Sequence, residues 1–120
     1  MGRSSLSFSR ARCLKRASEF ERVRQQGRSE RGKTLVLGVL SEGGTGDFRA
    51  GFITSRRIGR AVVRNRVRRR LREIVRRNQH EIGAGVWVVT IARAAAAHAT
   101  YRQLEDEWLR LAKRASILAA

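Results

Sequence analysis

Proline is absent and cysteine occurs once, at Cys13, in a chain of 120 residues. One thiol closes no internal disulfide and assembles no cysteine-based metal site, so a reducing compartment is the expected setting. Acidic residues are scarce: ten, against 27 lysines and arginines, for a formal net charge of +17. Only Asp47 and Asp106 are aspartates, and no acidic pair has the spacing of a two-metal site. His80 and His98 have no partnering nucleophile and read as surface residues. No catalytic and no metal-ligating residue is therefore assigned. No apolar run approaches the roughly 20 residues of a membrane span. The opening MGRSSLSFSRARCLKR has no apolar h-region and reads as a basic arm rather than a signal peptide, which makes the cytoplasm the expected location. No repeat or linker divides the chain. It reads as an arm over 1–13, one domain over 14–116 and a tail over 117–120, with 42% hydrophobic content, enough for a packed core.

What the chain has in excess is arginine, concentrated between Arg56 and Arg77. Eleven of these 22 residues are arginine and only Glu73 opposes them. Val63, Val67, Leu71 and Ile74/Val75 recur through the same stretch at steps of three or four, the period of one helix face. A helix over roughly 60–78 is predicted, apolar on one side and cationic on the others. Asn65, Arg68, Arg69, Arg72 and Arg76 fall opposite the stripe, with Arg64, Arg66 and Arg70 on its flanks. Like charges four apart repel by a few tenths of a kcal/mol per pair, so a polyanion is the expected counterpart. Guanidinium forks suit phosphate oxygens and base faces, which points to nucleic acid.

The remaining elements follow from capping and periodicity. Ser18 and Glu21 have capping-box spacing and predict a first helix over 18–26, with Phe20 and Val23 on one face and Gly27 beyond its end. Thr34–Leu40 reads as a buried strand, joined through the glycine-rich SEGGTGD turn to Phe48–Thr54 as an antiparallel hairpin. Val86–Ala92, VWVVTIA, is a third strand. Thr100 and Gln103 repeat the capping box before a last helix over 100–115 with Tyr101, Leu104, Trp108, Leu111 and Ala115 on one face. Helices and strands in this order give an α+β sandwich, one sheet with helices packed on it.

The run SRRIGRAVVRNRVRRRLREIVRR resembles the signature of the protein subunit of bacterial ribonuclease P, through Ser55, Arg56, Arg57, Gly59, Ala61, Val62, Arg64, Asn65, Arg66, Arg68, Arg69, Arg72 and Glu73. Leu14-Lys15-Arg16 before the first helix, Arg93 after the last strand and the helix opening near Tyr101 agree with it in order. The chain departs from the family at Arg24 and Gly38, where aromatic residues are common, and at Arg93-Ala94, where Arg-Pro is usual.

The resemblance implies an α-β-β-β-α-β-α fold with a left-handed βαβ crossover and an extra short strand near Arg28–Arg31. It implies a noncatalytic, RNA-binding cofactor of a ribozyme that removes the 5′ leader of precursor tRNA, with Mg²⁺ accompanying the RNA. The residues it assigns to RNA are Arg56, Arg57, Gly59, Arg60, Arg64, Asn65, Arg66, Arg68, Arg69 and Arg72. Phe20, Arg24 and Val36 fall to a cleft for the single-stranded leader, and the partners are the catalytic RNA and precursor tRNA, with neither DNA nor membrane expected. A ribosomal or general structured-RNA-binding protein shares the charge and fold class. A helix-turn-helix DNA binder would be helical around its reader helix, and a membrane-surface helix would carry aromatic residues on its apolar face.

Overall fold

A computed structural model of the chain describes residues 12–41 and 46–118. Most of the expected arm, the centre of the glycine-rich turn and the last two residues of the expected tail lie outside them. The elements are α1 (Ala17–Gln26), β1 (Arg28–Arg31), β2 (Leu35–Ser41), β3 (Arg49–Thr54), α2 (Ala61–Arg77), β4 (Val86–Ala92) and α3 (Tyr101–Arg114). Short 3-10 turns occupy Arg56–Ile58, Gln79–Glu81 and Ala94–His98. This is the α-β-β-β-α-β-α order of an α+β fold, short strand included.

One sheet runs β1-β2-β4-β3 and is antiparallel except between β3 and β4. The expected hairpin between the second and third strands does not form. β4 lies between them, with Thr90 opposite Leu37 on one side and Phe52 on the other. The reason is in its composition: VWVVTIA is apolar on both faces, and such a strand is stable only where both faces are covered, at the centre of a sheet. The polar RSER of β1 tolerates the edge.

Strand alternation sorts the side chains onto two faces. Leu35, Leu37, Val39, Val88 and Ala92 point to the larger core, where they meet α2 and α3. From α2 come Val67, Leu71, Ile74 and Val75, all fully buried, with Val63 at the margin. From α3 and its C-cap come Leu104, Trp108, Leu111 and Ala115. Burying each large apolar side chain contributes about 1.5–3 kcal/mol. Trp108 Nε1 donates to Thr90 Oγ1 at 3.0 Å, satisfying both polar groups inside this core. The predicted Thr100–Gln103 capping box is present: Gln103 N–H donates to Thr100 Oγ1 at 3.1 Å and Thr100 N–H to Gln103 Oε1 at 2.9 Å. Buried Glu107 ties α3 to the start of β2, its Oε2 accepting from Thr34 N–H at 2.8 Å and Leu35 N–H at 2.9 Å. Gly32 leaves room for that carboxylate, since a Cβ there would stand 2.3 Å from Oε2.

α1 covers part of the opposite face. Its N-cap is Arg16, not Ser18. Glu19 rather than Glu21 is the acid that reaches back, accepting from Lys15 N–H at 2.9 Å and Arg16 N–H at 3.0 Å. Glu21 pairs with Arg24 instead. Gly27 ends the helix with an ordinary negative φ; a Cβ there would stand 2.2 Å from the Val39 carbonyl, so closeness to β2 is what requires glycine.

The Glu19 carboxyl is held below its ordinary value of 4.5, chiefly by the Arg16 N–H and further by Lys15 N–H and Arg49, against the opposing effect of burial. A carboxylate with a depressed folded pKa stabilises fully above its unfolded value, about 4.3. That contribution is lost as pH falls through the lower folded value. Glu19→Gln is therefore expected to lose less stability than the wild type between pH 7 and pH 3 in urea titrations. Equal losses would remove Glu19 from the acid response.

Candidate nucleic-acid interface

The arginine surface begins before α2. Thr54 closes β3, Ser55 is extended, and Arg56–Ile58 turn once so that buried Ile58 joins the core while Arg56 and Arg57 face solvent. Gly59 follows with φ 143° and ψ −157°, a conformation essentially confined to glycine. The chain then enters α2 with Arg60 at the N-cap. The turn's own geometry thus accounts for the glycine, and it projects Arg56, Arg57 and Arg60 together at the head of the helix.

Along α2 the stripe at Val67, Leu71 and Ile74/Val75 fixes the rotation, so Asn65, Arg66, Arg68, Arg69 and Arg72 are exposed and Arg64 and Arg70 half-buried. Several guanidinium groups are engaged within the protein. Arg68 Nη2 donates to Thr54 Oγ1 at 2.6 Å, Arg66 Nη2 to the Ala97 carbonyl at 3.3 Å and Arg70 Nη1 to the Ala99 carbonyl at 3.1 Å. Arg76 pairs with Glu73, whose carboxyl it holds below the ordinary range. The side chains of Arg56, Arg57, Arg60 and Arg69 make no hydrogen bond or ion pair among the described residues, and all four residues are exposed. Val62, 71% exposed, lies between them in the first turn.

A groove of about 590 Å³ lies across the sheet, between α1 and the strand face opposite the larger core. Phe20 and Arg24, one turn apart on α1, and Val36 of β2 all line it. Its construction depends on a row of small residues: Val89 of β4 faces Gly38 on β2 and Gly51 on β3. A Cβ at Gly51 would stand 2.5 Å from the Phe20 ring, and one at Gly38 would touch Val23 at 3.4 Å. The two glycines therefore form the trough in which α1 seats. From the strands, Ile53, Ile91, Arg28 and Ser29 also line it. Sequence reasoning missed these four, because which face each residue takes depends on a strand register that only the assembled sheet defines.

Beyond the groove the same face carries Trp87 between two cations, with Arg22 and Arg49 each 5.2 Å from its ring centroid. Arg49 also binds Glu19 Oε2 at 2.8 Å and the Cys13 carbonyl at 3.1 Å, which fixes the entry to α1. The groove and the arginine helix lie on opposite faces of the sheet and approach each other at the end of β3, where Ile53 lines the groove and Thr54 receives Arg68. His80 and His98 are both exposed. Among the described residues no group of three or more His, Cys, Asp or Glu side chains could hold a metal ion. No helix there is long and apolar enough to cross a membrane.

Comparison with known proteins agrees with this architecture. Residues 8–116 match the family model of ribonuclease P. The ribonuclease P protein component of Brevibacillus brevis is 39% identical over 109 residues, covering 91% of this chain and 86% of that one. Its counterpart in Chloroflexus aurantiacus is 41% identical over 112 residues, covering 92% and 82%. Among solved structures, the Staphylococcus aureus RNase P protein superposes with a TM-score of 0.83 at 26% identity, covering 91% of this chain and 99% of that one. The Thermotoga maritima RNase P protein, in complex with 1-(4-fluorophenyl)-2-thiourea, gives 0.77 at 28% identity, covering 84% and 97%. A match over nearly the whole folded chain, in sequence and in topology, places this protein in the ribonuclease P protein family.

Proposed function

We propose that the chain is the RNA-binding cofactor of a ribonuclease P ribozyme, which cleaves the 5′ leader from precursor tRNA in the cytoplasm. The observation that carries this reading is the group of guanidiniums at the head and outer face of α2, Arg56, Arg57, Arg60 and Arg69, which have no partner among the described residues, on a chain of net charge +17. Phosphates of the catalytic RNA neutralise them, and Asn65 offers an amide to a base edge or 2′-hydroxyl. Gly59, Arg64, Arg66, Arg68 and Arg72 belong to the same surface, although Arg66 and Arg68 must share their guanidiniums with Ala97 and Thr54. Hydrolysis is assigned to the RNA, whose phosphates also hold Mg²⁺.

The groove of Phe20, Arg24 and Val36 takes the single-stranded leader. Its apolar floor and aromatic wall favour stacking, which does not discriminate strongly between bases. A precursor tRNA with a leader is therefore expected to bind the assembled enzyme more tightly than mature tRNA. Phe20→Ala should reduce that difference by about 1–3 kcal/mol, the range for one stacked base. Phe20→Leu, which keeps an apolar group against Gly51, separates lost stacking from lost packing, and circular dichroism checks the fold. Equal weakening toward both substrates would return Phe20 to a purely structural role, and no preference for the leader in the wild type would leave only a general RNA-binding protein.

A further inference from the structure

A second groove, of about 530 Å³, opens between the start of β2, the 3-10 turn Ala94–His98 and the first half of α3. Thr34, Ala99 and Glu107 are its buried residues, while Lys33, Gln103, Asp106 and Arg110 are exposed around it. Thr34 is 8% exposed, and its Oγ1 is buried with no hydrogen-bond partner among the described residues. Buried hydroxyls are nearly always partnered, and this one, sealed in the present rotamer, meets a group in the groove once the Thr34 side chain turns about χ1.

The surrounding charges narrow the ligand. Lys33 and Arg110 bring two cations to the rim. Glu107 adds little repulsion, since its Oε2 accepts from two backbone N–H groups and its Oε1 lies 3.7 Å from Arg110 Nη2. Asp106, Gln103 and His98 remain, an acceptor and two mixed donor–acceptor groups, which together suit a base edge. One turn links the groove to the arginine helix. Arg66 and Arg70 donate to the Ala97 and Ala99 carbonyls, so the turn bordering the groove is the one held against α2.

We infer that this groove is a second RNA subsite, taking one unpaired nucleotide of a strand that lies on the arginine helix; the inference rests on the RNA-binding reading above. The nucleotide's phosphate meets Lys33 and Arg110, and a turn of the Thr34 side chain brings its Oγ1 to the sugar or base edge. Asp106 accepts from a base N–H.

The test is a titration of the ¹⁵N-labelled full chain with the four nucleoside 5′-monophosphates in turn, and with inorganic phosphate. At least one nucleotide is expected to shift the amides of Thr34, Ala99 and Gln103 saturably, and inorganic phosphate is not. Thr34→Val keeps the shape and removes only the hydroxyl. It should keep its thermal stability and bind that nucleotide about fivefold or more weakly, the effect of one hydrogen bond. Silent amides with every nucleotide, equal shifts with inorganic phosphate, or unaltered binding by Thr34→Val would each overturn the subsite. If the subsite fails while the chain still binds ribonuclease P RNA, the proposed function stands. If the RNA itself is not bound, that function fails independently.

Discussion

Replacing Arg56, Arg57, Arg60 and Arg69 together with alanine is expected to weaken binding to ribonuclease P RNA by on the order of a thousandfold at about 0.1 M salt. Each phosphate contact contributes about 0.9 to the slope of log affinity against log salt on a duplex and about 0.7 on a single strand. Removing four should therefore flatten that slope by roughly three to four. None of the four side chains makes a hydrogen bond or ion pair within the described protein, so the fold has no contact to lose. Surface substitutions of this kind usually change stability by less than about 0.5 kcal/mol. Binding loss with unchanged thermal unfolding separates an interface from a scaffold. Arg68 is a poorer choice for the same test, because its bond to Thr54 at 2.6 Å mixes the two effects. An unchanged salt slope in the quadruple variant would remove this surface from the interface.

The second large effect lies in the core. Trp108→Ala is expected to cost about 3–5 kcal/mol. In a domain of total stability about 5–15 kcal/mol, that is a large fraction of the whole. Trp108 is fully buried, and its removal leaves both a cavity between α3 and the sheet and a Thr90 hydroxyl without its donor at 3.0 Å. Thr90→Val should cost less, about 1–3 kcal/mol, since it orphans only the indole N–H. Urea unfolding followed by circular dichroism ranks the two. A Trp108→Ala protein as stable as the wild type would contradict the packing described for α3.

How much of this was legible beforehand varies element by element. α2 was, because its apolar stripe and its arginines obey one helical period, and burial follows period directly. So was the Thr100–Gln103 cap. The cap of α1 was not, because Ser18 and Glu21 fit the capping-box pattern while the observed N-cap, Arg16, is not a residue type that pattern selects. What selects Glu19 is Arg49, a residue on β3 that binds its second oxygen. The missing hairpin has a similar cause. A short glycine-rich turn suggests that β2 and β3 pair, but the continuous apolar run of β4 competes for the central place and wins through burial on both faces. β1 carries three charges in four residues and no strand pattern, and only the family resemblance marked it. Resemblance also supplied Phe20, Arg24 and Val36, while the glycine row that makes their groove depends on the pairing of Gly38 and Gly51 with Val89, which no local signal encodes. Glu105, Asp106 and Glu107 stand together early in α3, and nothing in the sequence marks Glu107 as the one that turns inward to the Thr34 and Leu35 amides.

The most direct test of the account is reconstitution. Purified protein is mixed with a bacterial ribonuclease P RNA and a precursor tRNA bearing a 5′ leader, at a Mg²⁺ concentration where the RNA alone is slow. Rapid cleavage at the mature 5′ end with both components, and none with protein alone, is the expected result. Binding of the RNA without any stimulation of cleavage, or cleavage by the protein without RNA, would contradict a noncatalytic cofactor acting through the arginine helix and the groove.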